Sequence, residues 1–300
     1  MTSFIKTLHG KFMIIQVQRG CAMSKSNNAM AQHIVPQAHL KRFVDRNGML
    51  WVYRKNGKET KSYLAIPRKV CKKKNYYDEF PYDKDSLETF IKDIEDQGQF
   101  AIDSILRGEC DMENSDSLKK YVCNILERHE ASRTSIRRLF NNVGVVLNED
   151  DFRTLHADAI KHSGEEYLGK RYTEFHCFTR SVPESLYLLT SDVPITVIGS
   201  CNPSSLDVVS NYTMPKTIVE LNKKPQDSIV AAIRDLVWAM PLTPNVCLFI
   251  VDSNNSSYED CVPEPLGISW VNKINSMMVL HCIEEVYSDR DSKGLILKSR

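Results

Sequence analysis

The sequence predicts an α+β fold, with an N-terminal β-hairpin and long helices packed with a mostly antiparallel C-terminal sheet. Three observations carry that expectation. Asn56-Gly57 separates two aromatic and β-branched runs. Two long stretches between residues 85 and 140 repeat apolar residues at three- and four-residue steps. Beyond residue 170 the chain reads as short apolar strands punctuated by prolines. A hairpin, then helices, then strands is not the βαβ alternation of a doubly wound sheet.

The elements follow in order. Pro36 opens a short helix over residues 35–44, with Leu40 and Phe43 on its buried side. Asp45-Arg46-Asn47-Gly48 is a turn. The runs 49–54 and 59–66 flank Asn56-Gly57, and both turn residues tolerate the positive φ that a tight hairpin needs. Leu87, Phe90, Ile91, Ile94, Ala101 and Ile105 predict an amphipathic helix over 85–106. Leu118, Tyr121, Val122, Ile125, Ile136 and Leu139 predict a second over 115–140, and 149–162 reads as a third. Strands are expected at 171–179, 185–190, 195–198, 236–240 and 247–251. A helix at 268–283 precedes Val286-Tyr287 and a terminal strand at 294–297. Residues 1–28 are expected to be a disordered or non-native leader, and 29–300 a single domain.

Composition excludes some classes. With 42% hydrophobic and 26% charged residues the 300-residue chain has ample core for a globular fold. The net charge of +1 gives no global attraction to nucleic acid or acidic lipid. Nine cysteines at long, irregular spacings, none as Cys-x-x-Cys, argue for free thiols in a reducing compartment, with no disulfide framework and no structural zinc. No apolar run approaches the ~20 residues of a membrane span, so a cytoplasmic protein without membrane attachment is expected. No dinucleotide fingerprint, phosphate-binding loop, nucleophile elbow or zincin motif occurs, and no nucleotide cofactor is expected.

The local charge is segregated. Residues 41–74 hold twelve Lys/Arg against two Asp/Glu, a surplus of ten positive charges. Residues 78–116 hold three against thirteen, a surplus of ten negative ones. Arg54, Lys55, Lys58, Lys72, Lys73 and Lys74 lie among Trp51, Tyr53, Tyr63, Tyr76 and Tyr77. Cations meet phosphates and aromatic faces meet unstacked bases, so this hairpin could bind single-stranded nucleic acid. The plain alternative is that the aromatics pack the hairpin while the lysines are solvated or pair with the acidic helix. Glu174 and His176 would share one face of a strand, a pair too small for a metal site. His33 and His39 are six apart and do not form a helical ligand pair. Asp192, between two apolar strands, suits either a strand-end catalytic acid or a turn closed by its own side chain.

His33-Ile34-Val35-Pro36-Gln37, Leu40, Phe43 and Leu50-Trp51-Val52-Tyr53 together resemble the opening of the bacterial family known as domain of unknown function 4238. Tyr76-Tyr77, Glu95, Thr190-Ser191-Asp192-Val193-Pro194, Pro241-Leu242-Thr243-Pro244, Asn275 and Val286-Tyr287-Ser288 are similar to its later landmarks, in order, over about 31–288. Ala38-His39 departs from its usual aromatic pair, and the helix around 121–138 matches loosely. The resemblance implies a bacterial intracellular protein and no established activity. Its landmarks include His33, Gln37, Glu95 and Asp192, which exceed what packing requires. Brought together, such groups can hold a divalent metal or do acid–base work. One expectation is therefore a metal-dependent nuclease or phosphodiesterase-like hydrolase using Mg²⁺ or Mn²⁺. Glu95 and Asp192 would be its ligands, His33 a base or third ligand, and the basic hairpin a guide for nucleic acid. The other is a non-catalytic binding or regulatory module in which the same residues satisfy buried backbone groups.

Overall fold

The structure, a computed structural model, describes residues 2–8, 11–17, 31–56, 59–74, 76, 84–109, 112–128, 133–134, 137, 140–141, 144, 146–162, 166–167, 170–200 and 236–298. Its elements run β1 (Thr2–Leu8), β2 (Lys11–Val17), β3 (Ala31–His33), α1 (Gln37–Leu40), β4 (Leu50–Asn56), β5 (Glu59–Ala65), β6 (Lys72–Lys74), α2 (Lys84–Leu106), α3 (Asp116–Glu127) and α4 (Glu149–His162). There follow β7 (Glu166–Tyr167), β8 (Lys170–Arg171), β9 (Phe175–Ser181), β10 (Thr190–Ser191), β11 (Thr196–Ser200), β12 (Leu236–Thr243), β13 (Val246–Asp252), α5 (Ile268–His281), β14 (Glu285–Ser288) and α6 (Lys293–Lys298). Strand pairings among the described residues are antiparallel, and the α+β expectation holds. Within the expected leader, β1 and β2 pair with each other as a two-stranded sheet of their own.

Two four-stranded sheets organise the body. The first has the order β11-β12-β13-β9. One face carries Val197, Trp238, Met240, Leu248 and Ile250 against Ile102 of α2 and Leu118, Tyr121 and Val122 of α3. The other carries Val237, Ala239, Phe249 and Val251 against Val271, Ile274 and Met278 of α5. Helices cover both faces, which is why β12 and β13 read as unbroken apolar runs without alternation. Pro241 would break a ladder, and the register of β12 on β13 shifts between Pro241 and Thr243, where a bulge accommodates it.

The second sheet, β10-β14-β4-β5, joins the N-terminal hairpin to the C-terminal segment. Leu50, Val52 and Tyr287 face a cluster with Leu40, Phe43 and Ile160. Tyr53 and Val286 face the opposite way, toward Leu189, Val279 and Ile296. The expected hairpin forms, but Asn56 ends the strand opposite Glu59 and is not one of the two turn residues, while Gly57 and Lys58 lie outside the described residues.

α2 and α3 pack at close range, because a Cβ on Gly98 would lie 2.4 Å from Tyr121 Cβ. Ser115 caps α3, its hydroxyl accepting from the Leu118 N–H at 3.3 Å. Cys71, Cys123, Cys177, Cys247 and Cys282 are buried free thiols, and Cys261 is an exposed one.

Several expectations are corrected. α3 ends at Glu127, with Arg128 as its C-cap, in place of one helix over 115–140. The strand expected at 171–179 starts at Phe175, and Glu174 belongs to a preceding 3₁₀ turn, so it does not alternate with His176. The stretch 185–190 is mostly irregular. The Leu188 amide donates to the Pro244 carbonyl and the Leu189 amide to Asn275 Oδ1, so loop and side-chain acceptors replace a ladder. The terminal strand at 294–297 is instead α6, whose Leu295 and Ile296 pack beside Tyr53.

Candidate functional site

His33 ends β3, which pairs with the lysine strand β6, and Gln37 opens α1 one turn later. The imidazole bonds the Pro67 carbonyl on one side, and its Nε2 lies 3.5 Å from Gln37 Nε2 on the other. Burial, Lys72 and Arg128 together push its pKa down to about 4, so it is neutral at pH 7. Its main-chain carbonyl accepts from Arg128 Nη2 at 2.6 Å. Arg128, 2% exposed, holds the Glu95 carboxylate with its other terminal nitrogen. Glu95 is thus joined to the His33 backbone through Arg128, and Gln37 meets the His33 ring. The network continues along α2. Arg42 binds Gln99 and Asp103, the latter at 2.6 Å, and Gln99 donates to the Tyr121 hydroxyl at 2.7 Å.

Asp192 has other partners. Its Oδ1 accepts from the Ile283 amide at 2.9 Å, and its Oδ2 from the Glu284 and Glu285 amides at 2.6 and 3.2 Å. Its own N–H donates to the Glu285 carbonyl at 3.0 Å. The carboxylate thereby clasps the segment that feeds β14. Burial pushes its pKa up to about 6, against the three amides, which favour the anion.

Glu285 is a further hub. One oxygen accepts from Arg54 Nε at 3.0 Å and the Tyr63 hydroxyl at 2.9 Å, and the other from the Tyr287 hydroxyl at 2.8 Å. Lys55 Nζ donates to the Leu280 and Cys282 carbonyls at 3.3 Å, closing the C-terminal end of α5. Two of the six cations expected on nucleic acid are therefore engaged within the fold. Lys73 Nζ lies 5.5 Å from the Tyr76 ring centroid, and Lys72 is exposed. The Lys74 side chain and Lys58 lie outside the described residues.

Among the described residues no group of three or more His, Cys, Asp or Glu side chains is placed to hold a metal ion. The two carboxylates expected as ligands, Glu95 and Asp192, bind a guanidinium and three amides respectively. His176 pairs with Glu259 at 2.9 Å. The described residues thus present no ready-made set of three such ligands for Mg²⁺ or Mn²⁺.

What remains is a surface. Lys41, Arg46, Lys61, Arg68, Lys69 and Lys72 are exposed, and none forms an ion pair with another described residue. Arg42–Asp103 is the ion pair found among the described residues between the basic block and the acidic one. Tyr63 and Leu64, on the same strand as Lys61, are 40% and 47% exposed.

The loose match of the helix around 121–138 left Arg128 and Arg133 without a role in the sequence reading, and Glu285 was not singled out. Arg133 donates to the Tyr76 carbonyl at 2.7 Å and stacks over the Tyr76 and Phe152 rings. Each looks like an ordinary surface charge, and no local pattern distinguishes it. No helix among the described residues is long and apolar enough to cross a membrane.

No curated protein and no solved structure matches this chain. One family does, over residues 31–292, a span that takes in β3 through β14 and the whole polar network just described. The chain therefore belongs to the family described as "Protein of unknown function (DUF4238)".

Proposed function

We propose that this protein is a non-catalytic binding module whose basic surface holds single-stranded nucleic acid. The observation that carries this reading is the set of exposed cations Lys41, Arg46, Lys61, Arg68, Lys69 and Lys72, none of which forms an ion pair with another described residue. The half-exposed Tyr63 adds a face on which a base can stack. The residues expected to be catalytic act in this reading as fasteners. His33 bonds the Pro67 carbonyl, Glu95 neutralises the buried Arg128, and Asp192 satisfies three amides. Leaving any such group unpaired would cost about 1–3 kcal/mol, which suffices to explain their presence.

The test is fluorescence anisotropy with labelled single-stranded RNA, single-stranded DNA and duplex DNA across a salt series. The wild-type protein binds single strands with a steep salt dependence. Combined Lys61→Glu, Lys69→Glu and Lys72→Glu substitutions lower the slope of log K on log[salt] by about 2. Salt-independent binding, or none, refutes the reading. So does strand cleavage in Mg²⁺ or Mn²⁺ that disappears in Glu95→Gln, which would restore the hydrolase.

A further inference from the structure

We infer that the outer edge of β5 is a docking edge for an extended acidic segment of a partner protein, which joins the sheet as a fifth strand. The main-chain geometry comes first. The Lys55 amide donates to the Glu284 carbonyl at 2.7 Å, so Lys55 turns its peptide groups toward β14. Alternation along β4 turns Arg54 and Val52 toward β5, where they pair with Lys61 and Tyr63. Thr60, Ser62 and Leu64 consequently point their N–H and C=O groups away from the sheet. No backbone partner for these groups occurs among the described residues, and 61–64 are exposed.

Edges of this kind are normally blunted by a bulge, by proline, by brevity or by charge, lysine above all. β5 has none of the first three, and its lysine, Lys61, is the charge that an acidic strand answers. It runs seven residues in unbroken register and shows Tyr63 and Leu64 to solvent. Its charge selects the occupant. Lys61 lies on the edge itself, and Arg68 and Lys69 follow just beyond its end, all exposed and none in an ion pair with another described residue. A second copy of β5 would bring Lys61 near Lys61, whereas an acidic strand sets carboxylates beside these cations. An apolar residue on its other face meets Leu64. Main-chain bonds supply affinity and the alternate side chains supply selectivity.

The inference shares Lys61, Arg68 and Lys69 with the nucleic-acid reading and goes beyond it through the outward peptide groups, which that reading does not use. The probe is an end-blocked nonapeptide of alternating Glu and Val, titrated into the full chain. Ser62→Pro deletes an outward donor and leaves the inward bonds of Lys61 and Tyr63, while Ser62→Ala retains the donor. Wild type and Ser62→Ala bind the peptide, Ser62→Pro loses at least tenfold, and its salt-dependent nucleic-acid binding is unchanged. Amide hydrogen exchange on the unaltered protein supplies a readout that does not depend on how the variant folds. Saturating peptide slows exchange at Ser62 and Leu64. No binding at millimolar peptide, equal binding by folded Ser62→Pro, or unchanged exchange at those two amides overturns the proposal. Protection that grows with protein concentration and needs no peptide also overturns it, and assigns the edge to a second copy.

Discussion

Histidine shows how little a residue type says before its surroundings are known. His39 is fully buried in α1, with Nε2 3.1 Å from Thr190 Oγ1, and burial followed by the nearby Arg42 pushes its pKa down to about 3. The folded state keeps this imidazole neutral while the unfolded chain takes up its proton near pH 6.5. The stabilisation is thus complete above pH 6.5 and is lost as pH falls toward 3. The expected slope is about 1.4 kcal/mol per pH unit for this fully buried histidine, and the partly exposed His33 acts in the same direction with a smaller, solvent-screened share. Urea unfolding at a series of pH values checks this. His39→Gln flattens the dependence below pH 6, and an unchanged slope would contradict the assignment. Asp192 works in the opposite sense. Its raised pKa means that ionisation opposes folding as pH rises from about 4 through 6.

The helices illustrate competition between propensity and packing. Gly98 sits inside α2, where glycine is normally about 1 kcal/mol worse than alanine. Against α3 that preference reverses, because the added methyl would meet the Tyr121 side chain at its Cβ, 2.4 Å away. Gly98→Ala is expected to destabilise the protein by about 1–3 kcal/mol, read as a lower urea midpoint at constant m-value. A stabilised variant would show that the helices can separate at no cost. The periodicity of α2 and the Asn-Gly hairpin were legible because local spacing produces them. The irregular path before Thr190 and the helix at Lys293–Lys298 were not. Asn275 supplies the acceptor in the first case, and packing beside Tyr53 accompanies the second, both from distant positions.

Across the whole molecule, Arg128 binds three parts of the chain together. It caps α3, neutralises Glu95 of α2 and anchors the His33 carbonyl of β3. Arg128→Met would leave a carboxylate and a carbonyl without their donor, at a cost of about 3–5 kcal/mol. Pairing it with Glu95→Gln should recover part of that loss, measured by a double-mutant cycle, and strict additivity would deny the coupling. The sequence alone determined the fold class, the hairpin, most helices and the family, because hydrophobic period and turn chemistry are local. It also revealed two blocks of opposite charge. The tertiary structure alone decided that Asp192 fastens the Ile283–Glu285 amides while Glu95 answers a buried arginine. It also decided that Arg54 and Lys55 are spent inside the fold while Lys61, Lys69 and Lys72 face solvent. The reason is that a charged group's role depends on which partner lies within about 3 Å, and those partners stand tens to hundreds of positions away along the chain.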